Sequence, residues 1–329
     1  MTDVVEDLAR RIAASGVGNS EAINPFWRAQ LQRLDAVFKD GAEVTPRRIQ
    51  HALGYNQAHL PKGVASNRDL PHWADLMRAA KTGDVSGIGK GVEHAASLNF
   101  LIRDGSLDDY LALADDLRVM SDIGLIRLFW YARRLAGVLN SAGRSGPQNF
   151  LEVGSGSGRF ATLMVRHGLV GHYVMVDLPE MLLNAMLMAR TIPDVELRFG
   201  EVPDFDRPGK VFWFLDTNDI AKAPSSSADV AVNFNSFMEM DGDVRDFYIG
   251  EIYRAAKPGA IFYNVNRRQG AMTRRDGGRF DNNPLLYPYR ASDKVIEWAP
   301  DDLQQSTRSL TFMAPSSFCI SRIAEVGEG

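Results

Sequence analysis

The stretch Glu152-Val153-Gly154-Ser155-Gly156-Ser157-Gly158 carries the densest chemical signal in this 329-residue chain. Alternating glycines after the apolar Phe150-Leu151 let a backbone pass close to a bulky ligand without Cβ interference. The spacing is Gly-x-Gly-x-Gly, with Arg159 where a dinucleotide fingerprint needs its third glycine. A carboxylate at Glu152, two residues before the first glycine, suits a cationic ligand better than a pyrophosphate. Asp177 closes the next apolar run, where a carboxylate can accept both hydroxyls of a ribose, and its competing reading is a helix cap. Thr217 and Asn218 follow a third run and would border an adenine, although a simple turn fits there too. Together Glu152, Gly154, Ser155, Gly156, Gly158, Asp177, Leu178, Thr217, Asn218 and Asn233 are the expected nucleoside-binding set.

A second group suits proton removal. An alcohol is a poor nucleophile and needs a base at the moment of attack. Glu239, just past a fourth apolar run, is the first candidate and Asp241 the second. Glu239 can also be read as a solvated loop carboxylate or an arginine's partner. His51, His59, His72 and His94 are alternative bases if the N-terminal part folds over the site. Asn266, Arg267, Arg274 and Arg275 are the expected substrate-binding residues. Arg267, Arg268, Arg274, Arg275 and Arg279 fall in a glycine-interrupted segment, and arginines can grip phosphate or carboxylate bidentately. A solvated basic loop is the plain alternative.

These residues converge only if they sit at strand ends, and the pattern from 148 onward supplies the strands. Apolar runs at 149–153, 173–176, 211–215, 229–233 and 260–265 alternate with helical stretches at 159–168, 179–190 and 244–256. Pro179 suits a first helical position, Glu180 the first turn, and Asp243 a helix cap. Two weaker strands are expected near 294–298 and 318–324, and the alternating run 195–199 has no clear place. In an open α/β sheet the ligand lies at the carboxyl ends of such strands. Residues 1–143 read as mainly helical, with Val4, Leu8 and Ile12, then Phe26, Leu31, Leu34 and Val37, at helical spacing. Further helices are expected at 73–81, 93–102, 108–120 and 123–139, with an irregular connection at 56–71. The break at Ser141-Ala142-Gly143-Arg144-Ser145-Gly146-Pro147 divides the chain into a helical N-terminal domain, 1–143, and a second domain, 144–329. The helical domain is expected to cover the acceptor or to join copies of the chain as a homo-oligomer.

Bulk properties narrow the field. A net charge of −4 gives no general attraction to nucleic acid or anionic lipid. Cys319 is the sole cysteine, which leaves no disulfide framework and no cysteine-based zinc site. The acidic N-terminus lacks the pattern of a signal peptide, and no apolar run reaches 18 residues. A soluble cytoplasmic protein acting on a small molecule, with neither nucleic acid nor membrane as partner, is expected.

The acidic glycine turn resembles the first motif of class I S-adenosylmethionine-dependent methyltransferases. Residues 120–300 further resemble a family of sugar O-methyltransferases. The resemblance is carried by the glycine turn with Leu151, by Val176-Asp177-Leu178-Pro179-Glu180, and by Asp229-Val230-Ala231-Val232-Asn233 with Ser236-Phe237-Met238-Glu239-Met240. Phe262-Tyr263-Asn264-Val265-Asn266-Arg267 and Tyr287-Pro288-Tyr289 before Val295-Ile296-Glu297-Trp298 complete it. It implies a Rossmann-like class I methyltransferase domain, with a mostly parallel seven-stranded sheet, behind the helical domain. It also implies S-adenosylmethionine as cofactor and a sugar hydroxyl as acceptor, in glycan or glycosylated-metabolite biosynthesis. Two other functions stay open: a methyltransferase for phenols or polyketides, and a nucleoside-binding scaffold without turnover. Asp241-Gly242-Asp243 is similar to the acidic ligands of metal-dependent O-methyltransferases, but Asn264 and Asn266 stand where those enzymes add carboxylates. A divalent metal is therefore not the favoured expectation.

Overall fold

A computed structural model of the chain describes residues 4–15, 60, 62–268, 282–305 and 319–328. Five helices precede the sheet among these residues: α1 (Val4–Ser15), α2 (Trp73–Thr82), α3 (Val92–Asp104), α4 (Leu107–Asp116) and α5 (Ile123–Ser141). Strands and helices then alternate: β1 (Gln148–Val153), α6 (Arg159–Arg166), β2 (Val170–Asp177), α7 (Pro179–Ala189), β3 (Val195–Phe199), β4 (Lys210–Asp216), β5 (Ala228–Phe234), α8 (Gly242–Ala255) and β6 (Ala256–Arg267). Strands β7 (Lys294–Pro300) and β8 (Cys319–Glu325) end the sheet.

The sheet has eight strands, not seven, in the order β3-β4-β2-β1-β5-β6-β8-β7. The added strand is the unplaced run 195–199, which pairs in parallel with β4 as an edge. Its residues alternate apolar and polar, yet all five are half-buried, so the alternation does not separate a buried face from an exposed one. Strand β8 runs antiparallel to both β6 and β7, and the other pairings are parallel. Order reverses at β1, which sends β2 to one side and β5 to the other. That switch point opens a crevice at the carboxyl ends of β1, β2 and β5.

Both faces of the sheet are covered, as a parallel sheet requires. One face (Phe150, Tyr173, Phe212, Phe214, Val232, Tyr263) packs against α6 and α7, together with α1 and the second half of α5. The other (Leu151, Val174, Trp213, Leu215, Phe262) packs against α8 and the 3-10 turn Thr217–Lys222. A third cluster, around Trp73, Leu98, Leu101, Tyr110, Ile126 and Phe129, joins α2, α3, α4 and the first half of α5. Helix α5 thus contributes to the helical cluster at its start and to the sheet's core at its end. The helix expected around Phe26 to Val37 lies outside the described residues. The N-cap of α8 is Asp241 rather than Asp243, which stands inside the first turn.

Candidate active site

Strand β1 delivers the chain into the turn with Gly154, Gly156 and Gly158 all at positive φ, of 77°, 55° and 70°. At Gly154 a Cβ would lie 2.1 Å from Ser236 Oγ, so the turn and the loop after β5 touch only because no side chain intervenes. At Gly156 a Cβ would meet nothing within 4 Å, because that residue faces open space. Gly156 N–H donates to Asp177 Oδ2 at 2.7 Å, and Leu178 N–H donates to Oδ1 at 2.7 Å. Asp177 thereby ties the turn to the end of β2, and each oxygen keeps a lone pair for another donor. Burial raises its pKa to about 6 against these two hydrogen bonds.

The space beyond is a cavity of about 690 Å³, lined on one side by Gly154, Gly156, Asp177, Leu178, Met181, Thr217 and Asn218. Its volume is that of a small-molecule or cofactor site, roughly 300–1,000 Å³. Phe234, Asn235, Ser236, Glu239, Met240, Asp241 and Asp243 line the opposite side, with Val244, Phe247 and Tyr248 of α8. Tyr248 OH donates to the Thr217 carbonyl at 2.9 Å and fixes the 3-10 turn against α8. The Thr217 hydroxyl and Asn218 N–H both donate to Asp216 Oδ1, which shapes the turn that presents these residues.

Other expected site residues stand elsewhere. Glu152 is 2% exposed and lies off the cavity, where it accepts from Tyr173 OH at 2.9 Å. Burial pushes its pKa up to about 8. Ser155 is buried within the turn, and its hydroxyl has no hydrogen-bond partner. Asn233 is fully buried and donates to the Val153 carbonyl at 2.7 Å. Asn266 donates to Asn233 Oδ1 at 2.8 Å and accepts from Met238 N–H at 3.2 Å, so this expected substrate contact is engaged inside the protein. Asn264 exchanges hydrogen bonds with Tyr289 OH at 2.9 and 3.2 Å. Arg267 ends β6 and does not line the cavity, while Arg274 and Arg275 lie outside the described residues.

The asparagines and the Tyr-Pro-Tyr segment therefore share one task. Tyr287 OH donates to Asn282 Oδ1 at 2.6 Å, and Asn282 donates to the Phe237 carbonyl at 3.1 Å. Through these bonds Asn266, Asn282 and Tyr287 brace the loop that carries Glu239. Of the histidines, His51 and His59 lie outside the described residues and His72 is the N-cap of α2. His94 is hydrogen-bonded to Ser121 at 2.8 Å, and burial pushes its pKa down to about 4. Neither His72 nor His94 lines the cavity. Among the described residues no group of three or more His, Cys, Asp or Glu is arranged to hold a metal ion. No helix among them is long and apolar enough to cross a membrane.

Sequence reasoning missed Met181, Met240, Val244, Phe247 and Tyr248. The spacing of Val244, Phe247 and Tyr248 puts them on one helical face, yet the same pattern serves any core-facing helix. Phe247 is 54% exposed, and that exposure marks it as part of the site rather than the core.

Residues 151–264 match the family described as "Methyltransferase domain". The fold is the Rossmann-like fold of class I methyltransferases. Its cofactor is S-adenosylmethionine. The chain is similar to solved structures at low identity. A 1,6-didemethyltoxoflavin-N1-methyltransferase from Burkholderia thailandensis, with 1,6-didemethyltoxoflavin and S-adenosylhomocysteine bound, is 14% identical over 60% of this chain and 79% of its own, with a TM-score of 0.40. The N-methyltransferase NodS from Bradyrhizobium japonicum WM9 is 13% identical over 61% and 97%, with a TM-score of 0.41. The [4+2]-cyclase SpnF is 17% identical over 60% and 82%, with a TM-score of 0.41. Likenesses of this size say nothing about what this chain acts on. Comparison with curated proteins finds no match.

Proposed function

We propose that the chain is an S-adenosylmethionine-dependent O-methyltransferase acting on a sugar hydroxyl. The observation that carries the reading is the cavity itself, with the glycine turn and Asp177 on one side and Glu239 and Asp241 on the other. The residues suit the cofactor: Gly156 leaves open space, Asp177 keeps acceptor capacity for ribose hydroxyls, and Thr217 and Asn218 stand where an adenine edge would lie. When bound, the cofactor supplies a methyl group on a cationic sulfonium. The chain's part is to align an acceptor oxygen behind that methyl, and geometry of this kind supplies much of the rate. Glu239 takes the proton from the acceptor hydroxyl, with Asp241 beside it in the lining. The sugar rests on the sequence resemblance, and Arg274 and Arg275 are the proposed contacts to an anionic part of the acceptor.

One observation favours a second reading. Asp177, Glu239, Asp241 and Asp243 line the cavity, and no lysine or arginine does so among the described residues. Such a lining suits a cationic or neutral acceptor, so an amine on a sugar or small molecule competes with a hydroxyl. Labelled methyl transfer to matched hydroxyl and amino sugars decides between them. Transfer to the hydroxyl series supports the first reading, transfer to amines alone replaces it with the second, and transfer to neither removes the sugar.

A further inference from the structure

Helix α8 presents two side chains, Asp243 and Phe247, that line the cavity and that the proposed chemistry does not use. At a spacing of four they lie on one helical face, with Cβ atoms about 5–6 Å apart. Asp243 is exposed, and among the described residues its carboxylate makes no hydrogen bond or ion pair. Asp177, by contrast, already accepts from two backbone N–H groups. Phe247 is 54% exposed, and its ring meets Tyr248 edge-on, with 5.4 Å between centroids. A large ring left open in a cavity, beside a free carboxylate, is placed for a ligand and not for the core.

Charge decides which ligand. Four carboxylates line the cavity, those of Asp177, Glu239, Asp241 and Asp243, and no lysine or arginine does so among the described residues. Arg245, between Asp243 and Phe247 in sequence, is not in the lining. Its guanidinium pairs with Asp246 at 2.7 Å and lies over the Tyr287 ring, 4.6 Å from the centroid. S-adenosylmethionine offsets only one of these negative charges, because its ammonium and carboxylate cancel and the sulfonium alone remains. The surplus favours a cationic acceptor. An aromatic face attracts a cation, and a nearby carboxylate holds an ammonium through charge-assisted hydrogen bonds. A neutral hydroxyl uses the carboxylate but gains nothing comparable from the ring.

We infer that Asp243 and Phe247 bind an ammonium group of the acceptor, distinct from the hydroxyl that Glu239 deprotonates. The acceptor is then a cationic amino sugar, and α8 selects it against neutral sugars of the same shape. The inference rests on the reading that this cavity takes a sugar hydroxyl beside S-adenosylmethionine.

The test is a saturation-transfer NMR titration of the full chain, loaded with S-adenosylhomocysteine, using two pairs of probes. D-glucosamine and D-glucose differ by an ammonium in place of a hydroxyl. Choline and 3,3-dimethyl-1-butanol share a shape and differ in charge. The cation of each pair is expected to bind about 10- to 100-fold more tightly than its neutral match. Asp243→Asn and Phe247→Leu are each expected to remove most of that preference, and Phe247→Tyr, which keeps a ring, to retain it. All three are expected to keep their affinity for S-adenosylhomocysteine, and thermal melting establishes that each is folded. Equal binding of D-glucosamine and D-glucose, failure of both cations to bind, or a preference that survives in Asp243→Asn and Phe247→Leu overturns the inference. Loss of S-adenosylhomocysteine binding in Asp243→Asn also overturns it, by giving that carboxylate to the cofactor. Preference for choline with neither sugar bound keeps the ammonium site and removes the sugar reading instead.

Discussion

Asn266 donates its side-chain amide to Asn233 Oδ1 at 2.8 Å, which joins the ends of two neighbouring parallel strands. The same Asn266 accepts from Met238 N–H, one residue before Glu239. The proposed base is thus held by amide groups that are neutral at every working pH. Carboxylates in those positions would compete with Glu239 for the same protons.

Asn266→Ala is expected to leave Asn233 Oδ1 and Met238 N–H without their present partner. The cost in stability is about 1–3 kcal/mol, measured by denaturant unfolding. Turnover is expected to fall more than cofactor affinity, because the bond braces the acceptor side. An equal loss of both would assign the pair to the cofactor instead.

Glu239→Gln keeps the shape of the side chain and removes its basicity. The expected fall in kcat is roughly 10²–10⁴-fold, with S-adenosylhomocysteine affinity nearly unchanged. Near-normal turnover would move the role to Asp241, tested by the corresponding Asp241→Asn variant.

Asp177 accepts ribose hydroxyls best as a carboxylate, and its pKa is raised to about 6. S-adenosylhomocysteine is therefore expected to bind more weakly as pH falls through about 6. In Asp177→Asn the affinity is expected to be lower and flat across that window. A titration series in which wild type shows no change between pH 7 and pH 5 would assign the ribose to another group.

Glu152 carries the opposite consequence for folding. Its pKa rises from 4.5 in the open chain to about 8 in the fold, so the folded state holds its proton longer. Its stabilising contribution is complete below 4.5 and is lost as pH rises through about 8, with a limiting slope of about 1.4 kcal/mol per pH unit. Glu152→Gln is expected to flatten that part of the stability curve, read from unfolding midpoints between pH 5 and pH 8.

The sheet and several residues that line the cavity were legible in the sequence, because short apolar runs ending in Gly, Asp or Asn report both a strand and its carboxyl end. The edge strand Val195–Phe199 was not placed, since a half-buried edge lacks the full apolar run of a central strand. Asn233 and Asn266 were read as ligand contacts because they close strands, yet their amides face each other inside the protein. Type and position cannot separate a side chain that touches a ligand from one that holds its neighbour in place. Arg159 was noted only as a missing glycine. Its ion pair with Asp122, from a distant helix, exists only once the chain has folded.

The most direct measurement is calorimetric titration of S-adenosylhomocysteine into the wild-type chain and into Gly156→Val. The account expects one-to-one binding to wild type. It expects none to the variant, because a branched side chain at φ 55° is strained and its Cβ enters the open space the ligand needs. NAD, run in parallel, is expected not to bind. Equal affinity of S-adenosylhomocysteine for both proteins, or binding of NAD in its place, would contradict the assignment of this turn and cavity.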